Sequence, residues 1–275
     1  MFRPLSFLAG VVVGGALAEE RRVRRRAERF SAAALESLLR AVDANDPETG
    51  RHVRRAAEDA LIIARAAGLG DQERRTVELA ALFHDVGKID NAVNDLIVLP
   101  RKLSPDERRK VMTHPERGAA VLAPVAHFHP DLAEAVLSHH ERWNGSGYPR
   151  GLRGTQIPLA ARIVALADTF DAITHRRHYR GGRTPADAAR IIRSGRGTEF
   201  DPQLVDLMLS PPVFAQLVAA DKAQHTYNHR DRRDELPIGD MPSVRIRWRD
   251  EKPMPEVRSA ARPGAAAAAR SAADT

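Results

Sequence analysis

The residues with the most chemical potential in this 275-residue chain are histidines set beside carboxylates. His84 and Asp85 adjoin in Ala80-Ala81-Leu82-Phe83-His84-Asp85-Val86-Gly87-Lys88, an otherwise apolar segment with a helical pattern and Lys88 one turn on. Burying such a polar pair is costly unless something satisfies it. A metal ion does so, because a neutral imidazole and a carboxylate oxygen suit Mn, Fe or Zn. The dipeptide alone is read more readily as a surface pair before a glycine helix stop. Four other places shift the balance. Glu48 and His52 stand four residues apart on one predicted helix face, His114 precedes a proline, His139 and His140 adjoin, and Asp168 sits in an apolar helix. Each has an ordinary explanation as a surface contact, a cap or a loop residue. Together they would need several buried polar groups to be satisfied independently, whereas one shared metal cluster accounts for all of them. Metals about 3.5–4 Å apart, bridged by a carboxylate and a hydroxide, are the usual device for splitting phosphate esters. Asp85, next to His84, is the expected bridge. His127 and His129 show no helical phase with the others and read as loop histidines.

Composition narrows the chemistry. With no cysteine, disulfides and thiolate sites are excluded, and any metal falls to His, Asp and Glu. An apolar fraction of 43% supports a real core. The net charge of +7 is concentrated around residues 21–29 and in the C-terminal quarter. Basic flanks can meet nucleic acid or anionic lipid, but they are more often solvated. Aromatics at 5% are too scarce for base-stacking platforms, so nucleic acid is not the expected partner.

The elements that must position these residues read as helices. Residues 5–18 are apolar, follow Arg3 and precede Arg21 and Arg22. The stretch is shorter than the roughly 20 residues of a spanning helix. It reads as an anchor or interfacial helix in preference to a signal peptide, with 19–30 a basic linker holding the remainder on the cytoplasmic side. Leu35, Leu38, Leu39 and Val42 mark an apolar stripe. After a break over 43–50, helices are expected from Pro47 to about 67, over 73–86, from 104 through Met112, over 116–122, 131–141, 159–174 and 186–192, and around 204–209 and 213–220. Ser104 and Glu107 form a capping-box pattern. No sheet is expected, although 244–249 alternates. From 223 the chain turns basic and rich in Pro and Ala and is expected to be disordered.

The pattern His84-Asp85 with Gly87-Lys88, followed by His139-His140-Glu141-Arg142-Trp143-Asn144-Gly145-Ser146-Gly147-Tyr148-Pro149, resembles the HD-GYP family of phosphodiesterases, a branch of the HD-domain metal-dependent phosphohydrolases. The likeness runs from about residue 43 to 202. It takes in Glu48-Thr49-Gly50-Arg51-His52, His114-Pro115-Glu116-Arg117-Gly118 and Asp168-Thr169-Phe170-Asp171-Ala172. The resemblance implies an all-α fold, a compact multi-helix HD-domain bundle with disordered termini, and a catalytic domain over 31–222. It implies hydrolysis of cyclic di-GMP to pGpG or GMP at two or three divalent metal ions, iron or manganese.

Carried over residue by residue, the resemblance implies metal ligands at His52, His84, Asp85, His114, His139, His140 and Asp168, with Glu48 for a third metal. Lys88 would stabilise charge at the phosphate, Asp85 would act in catalysis, and Arg177 and Arg180 would bind phosphate. Asp171 would orient a ligand or Lys88. The run 175–180 also reads as a plain basic loop. Gly147 and Pro149 would shape the loop in which Tyr148 could cover a guanine, and diguanylate cyclase (GGDEF) domains would dock there. Membrane contact through residues 1–26 and a homodimer are further expectations. The segment after Lys88 departs from the family pattern, with Ala92-Val93-Asn94-Asp95 and Leu99-Pro100-Arg101-Lys102, which touches substrate specificity more than hydrolysis. The alternatives are a phosphohydrolase of another nucleotide, or a dinucleotide sensor or docking module without turnover.

Overall fold

The computed structural model describes the backbone over residues 5–89, 96, 101–175 and 182–231, and side chains within those ranges from residue 19 to residue 224. The all-α expectation is borne out. Among the described residues no strand occurs, and the only β pairing is two isolated bridges, Asn144 with Arg153 and Arg196 with Phe200. The described helices are α1 (Leu5–Asn45), α2 (Pro47–Ala66), α3 (Asp71–Phe83), α4 (Pro105–Val111), α5 (His114–Leu122), α6 (Leu132–Leu137), α7 (Leu159–Thr174), α8 (Pro185–Ser194), α9 (Pro202–Met208) and α10 (Pro211–Asp231).

The centre of the bundle is α2, which packs on both α3 and α7, while α3 also meets α6 and α7. Alanines lie at these contacts, including Ala56 and Ala60 on α2, Ala80 and Ala81 on α3, and Ala161 and Ala167 on α7, all buried. Small side chains let helix axes approach closely. Ile63, Leu79, Phe83, Ile163 and Phe170, also fully buried, fill the space between them. Sequence-local signals set the starts. Asp46 accepts from Glu48 N at 3.0 Å ahead of Pro47, and Ser104 and Glu107 cap α4 reciprocally, as expected.

Three differences from the sequence reading bear on the site. First, the apolar segment, the basic linker and the first domain helix form one helix, α1, and the break expected over 43–50 shrinks to Asp46. Residues 19–45 are rich in Ala, Arg, Glu and Leu, the best helix formers, with exposed Arg24–Glu28 and Arg40–Glu36 pairs one turn apart. Among its described side chains the buried ones, including Leu35, Leu39 and Val42, lie from Ser31 onward, whereas Phe30 is exposed. Second, α10 continues to Asp231, past the tail boundary expected at 223, since a helix nucleated on packed turns propagates at little cost. Third, α3 ends at Phe83 and α6 at Leu137, short of the expected 86 and 141. His84-Asp85 and His139-His140 therefore stand just beyond helix ends. Among the described residues no single helix is long and apolar enough to cross a membrane. Arg177, Arg180, the segment 92–95 and the tail from 232 lie outside the described residues.

Candidate metal centre

One local device repeats at three of the histidines. His84 Nδ1 lies 2.8 Å from Ala81 O after α3, His139 Nδ1 is 2.6 Å from Val136 O after α6, and His114 Nδ1 is 2.8 Å from Val111 O at the start of α5. A ring nitrogen facing a carbonyl must carry the proton and donate it. Each contact therefore leaves Nε2 as the lone-pair nitrogen and fixes where it points. His52, on α2, is held differently, with Nδ1 at 2.5 Å from Asp171 Oδ2 on α7.

The four Nε2 atoms converge with two carboxylates. His52 Nε2 is 3.2 Å from Asp168 Oδ1, and His84 Nε2 is 3.5 Å from Asp85 Oδ2 and 3.8 Å from Asp168 Oδ1. His114 Nε2 is 3.4 Å from Asp85 Oδ1 and 3.2 Å from His139 Nε2. His140 joins them, its ring centroid 4.1 Å from that of His139. The donors fall into two groups, His52, His84 and Asp85, and Asp85, His114, His139 and His140, so Asp85 belongs to both.

This arrangement fits metal ions on three counts. Donors about 2.1 Å from one cation lie about 3.0–3.4 Å apart in octahedral or tetrahedral geometry, close to the spacings found here. With Nδ1 protonated on both His114 and His139, their Nε2 lone pairs face each other at 3.2 Å with no proton to share, a repulsive contact that a cation would reverse. His84 Nε2 is buried and makes no hydrogen bond, a costly state for a polar atom.

The electrostatics prepare most of the donors for ligation. Burial, then the Lys88 cation, pushes His114 down to about 3. Burial likewise lowers His140 to about 4, and burial and neighbouring imidazoles hold His139 well below its usual value. These three rings are neutral, the state that binds metal. Burial alone would raise Asp85, but Lys88 and then His84 hold its carboxyl well below the usual range, so it is ionised. His52 is the exception. Burial lowers it, yet the Asp168 and Asp171 contacts outweigh that and raise it to about 9.

Lys88 lies on a 3₁₀ turn, Val86–Ile89, with Nζ 2.6 and 2.7 Å from the two Asp85 oxygens. That turn lies directly on α5. A Cβ at Gly87 would stand 2.1 Å from His114 O and 2.7 Å from Gly118 N, so only glycine allows the approach. Gly147 has the same role in the loop after His140, where a Cβ would be 2.3 Å from Arg142 N. The Tyr148–Pro149 peptide is cis. Buried Glu141 accepts from Arg150 N and Leu152 N at 2.7 and 3.0 Å and holds the loop closed. Tyr148 stacks on His140, with centroids 4.8 Å apart.

The structure thus brings His52, His84, Asp85, His114, His139, His140, Asp168 and Lys88 together, with Asp171 behind His52. It places Glu48 elsewhere, in ion pairs with Arg51 at 2.8 Å and Arg55 at 3.5 Å and outside both donor groups. Sequence reasoning passed over Arg55 and His175. Arg55 donates to both Asp171 oxygens, Nε at 2.5 Å and Nη2 at 3.1 Å, and is one turn from His52 on the same face. His175, grouped with a basic run, is buried against Asp171, four residues before it. The helical spacings were readable, but burial was not.

Comparison with known proteins agrees with this geometry. The cyclic di-GMP phosphodiesterase response regulator RpfG of Xanthomonas campestris pv. campestris (strain 8004) is 40% identical over 177 residues, which cover 64% of this chain and 46% of that protein. The 3'3'-cGAMP-specific phosphodiesterase 2 of Vibrio cholerae serotype O1 is 37% identical over 175 residues, covering 63% of this chain and 33% of that protein. The chain thus spans less than half the length of these curated relatives. A crystal structure of a cyclic GMP-AMP specific phosphodiesterase of V. cholerae superposes with a TM-score of 0.50 at 24% identity, over 72% of this chain and 53% of that one, and speaks for the fold. These relatives bear out the HD-GYP resemblance. A family model described as HD domain matches residues 36–204, a stretch that holds every converging side chain from His52 to Asp168, and the chain belongs to that family.

Proposed function

We propose that the chain is a metal-dependent phosphodiesterase that opens a cyclic dinucleotide, cyclic di-GMP first, to pGpG and/or GMP. The observation that supports it most is the set of inward Nε2 atoms, each fixed through its own Nδ1, around a carboxylate common to two donor groups. His52, His84 and Asp168 would hold one cation, His114, His139 and His140 a second, and Asp85 both. An all N/O donor set suits Mn or Fe. A third cation at Glu48 would require that carboxylate to leave Arg51 and Arg55. Divalent cations held there would supply a nucleophile at neutral pH and would neutralise charge on phosphorus oxygens.

The chain's own groups do the rest. Lys88 places a partly exposed ammonium beside Asp85, where a phosphodiester oxygen must arrive, and its charge favours the more anionic state reached as water adds and the 3′ oxygen leaves. Asp171 holds His52. Tyr148, with Gly147 and Pro149 shaping its loop, lines the approach beside His140, and burial pushes its phenol up, so it stays neutral. Arg177 and Arg180 are assigned to substrate phosphate by the family resemblance, and the Gly-Tyr-Pro loop to docking of diguanylate cyclase domains. Residues 5–18 followed by Arg21, Arg22, Arg24, Arg25, Arg26 and Arg29 favour a domain held at the inner face of a membrane.

A second substrate, 3'3'-cGAMP, is favoured by relatives of comparable identity named for it. Purified protein loaded with Mn or Fe, given cyclic di-GMP, 3'3'-cGAMP and pGpG with products separated by chromatography, tests the reading. Linear product is expected. Fully metallated protein that turns over none of them overturns it.

A further inference from the structure

Behind the metal cluster lies a second buried polar network that the reaction does not use directly. The Asp171 carboxylate is fully engaged: Oδ1 faces Arg55 Nε at 2.5 Å and His175 Nδ1 at 3.1 Å, and Oδ2 faces His52 Nδ1 at 2.5 Å and Arg55 Nη2 at 3.1 Å. Four donors meet about four lone-pair sites. His175 follows the end of α7, and its backbone N–H returns to Asp171 O at 2.9 Å. The Thr174 hydroxyl donates to Phe170 O at 3.0 Å, so at 3.1 Å from His175 Nδ1 its oxygen accepts. His175 Nδ1 therefore carries the proton, which it shares between Thr174 Oγ1 and Asp171 Oδ1, both 3.1 Å away. From α10, Asp221 places Oδ1 3.8 Å from the same nitrogen. His175, Asp171 and Asp221 are all buried.

We propose that His175 and Asp221 are positioning residues for the metal centre, extending the His52–Asp171 contact across α7 to α10 so that α10 helps fix the imidazole at the cation. Packing alone does not call for them, because apolar side chains of similar volume would fill this interface without desolvating charge. Both oxygens of Asp171 need opposing donors to stop the carboxylate rotating, and Arg55 supplies one on each side. His175 closes the Oδ1 side, and rotation there would swing the oxygen that holds His52.

The inference rests on the metal-centre reading above, and the test separates the two. Mn²⁺ affinity is measured by chelator competition on full-length wild type, His175→Ala, His175→Asn and Asp221→Asn, with urea unfolding alongside. Outer-shell partners of metal ligands typically contribute 10–100-fold in affinity. His175→Ala is expected to weaken Mn²⁺ binding at least about tenfold. His175→Asn, whose amide can donate from the Nδ1 position, is expected to recover most of the loss, and Asp221→Asn to lose affinity several-fold. Unchanged affinity in His175→Ala, or equal losses in the Ala and Asn variants, overturns the inference. Should His175→Ala not fold, an unchanged affinity in Asp221→Asn overturns it. Wild type that takes up no Mn²⁺ overturns the metal-centre reading itself.

Discussion

Replacing Asp171 with asparagine keeps the volume and removes the charge on which His52, Arg55 and His175 converge. Asparagine offers one oxygen and one amide. Because Arg55 donates to both Asp171 oxygens, either orientation turns the amide protons on a guanidinium N–H. The Arg55 side chain is only 8% exposed, and its remaining carboxylate partner, Glu48, is 3.5 Å away. Removing one partner of a buried ion pair costs about 3–5 kcal/mol, and Glu48 recovers part of that, so a loss of about 3 kcal/mol is expected. For a domain of this size, about 2–4 °C per kcal/mol translates this into a fall in Tm of about 6–12 °C. Metal affinity should fall about 10–100-fold as His52 loses its anchor. The assay is urea unfolding of chelator-stripped protein followed by Mn²⁺ titration. Asp106→Asn serves as control, since its exposed pair with Arg109 should be worth no more than about 1 kcal/mol. If Asp171→Asn unfolds at the wild-type urea concentration, the network does not carry stability. If its metal affinity is unchanged, Asp171 does not hold His52.

Asp59→Asn should move stability the other way. Burial, then the charges of Asp171, Glu58 and Asp221, push the Asp59 carboxyl well above its usual value. The unfolded chain releases that proton first, so stability is lost as pH rises above about 3.9. At neutral pH the asparagine variant should be more stable by about 1 kcal/mol or more, and a less stable variant refutes this. His52, raised to about 9, contributes stability to the metal-free protein that is fully present below about pH 6.5 and is lost as pH climbs through its folded value. Metal must displace that proton, so calorimetry in buffers of different ionisation enthalpy should find about one more proton released at about pH 7.5 than at about pH 10; an equal release at both refutes it. Gly87→Ala forces a methyl against His114 O and Gly118 N, and should cost about 1–3 kcal/mol and lower turnover by shifting the Lys88 turn off α5. Wild-type stability and turnover in that variant would show the turn is free to move.

Local sequence settled the character of each element. The spacing of Leu35, Leu39 and Val42 set the buried edge of α1. The Ser104–Glu107 box started α4, and α7 runs over the expected 159–174. These are properties of one or two turns, and a helix advertises them through its own repeat. The ligand types were legible only as a set: each histidine or carboxylate has an ordinary explanation by itself, and one shared metal cluster accounts for all of them together. Tertiary structure decided which groups meet. Arg51, Arg54 and Arg55 read alike as letters, yet Arg51 pairs with Glu48, Arg54 with Asp43, and only Arg55 is buried against Asp171. His175 reads as part of a basic run and is enclosed between α7 and α10. Arg55 and Asp171 are 116 positions apart, and His175 meets Asp221 from a different helix. Their contact depends on how closely alanine-lined helices approach, which no single segment encodes.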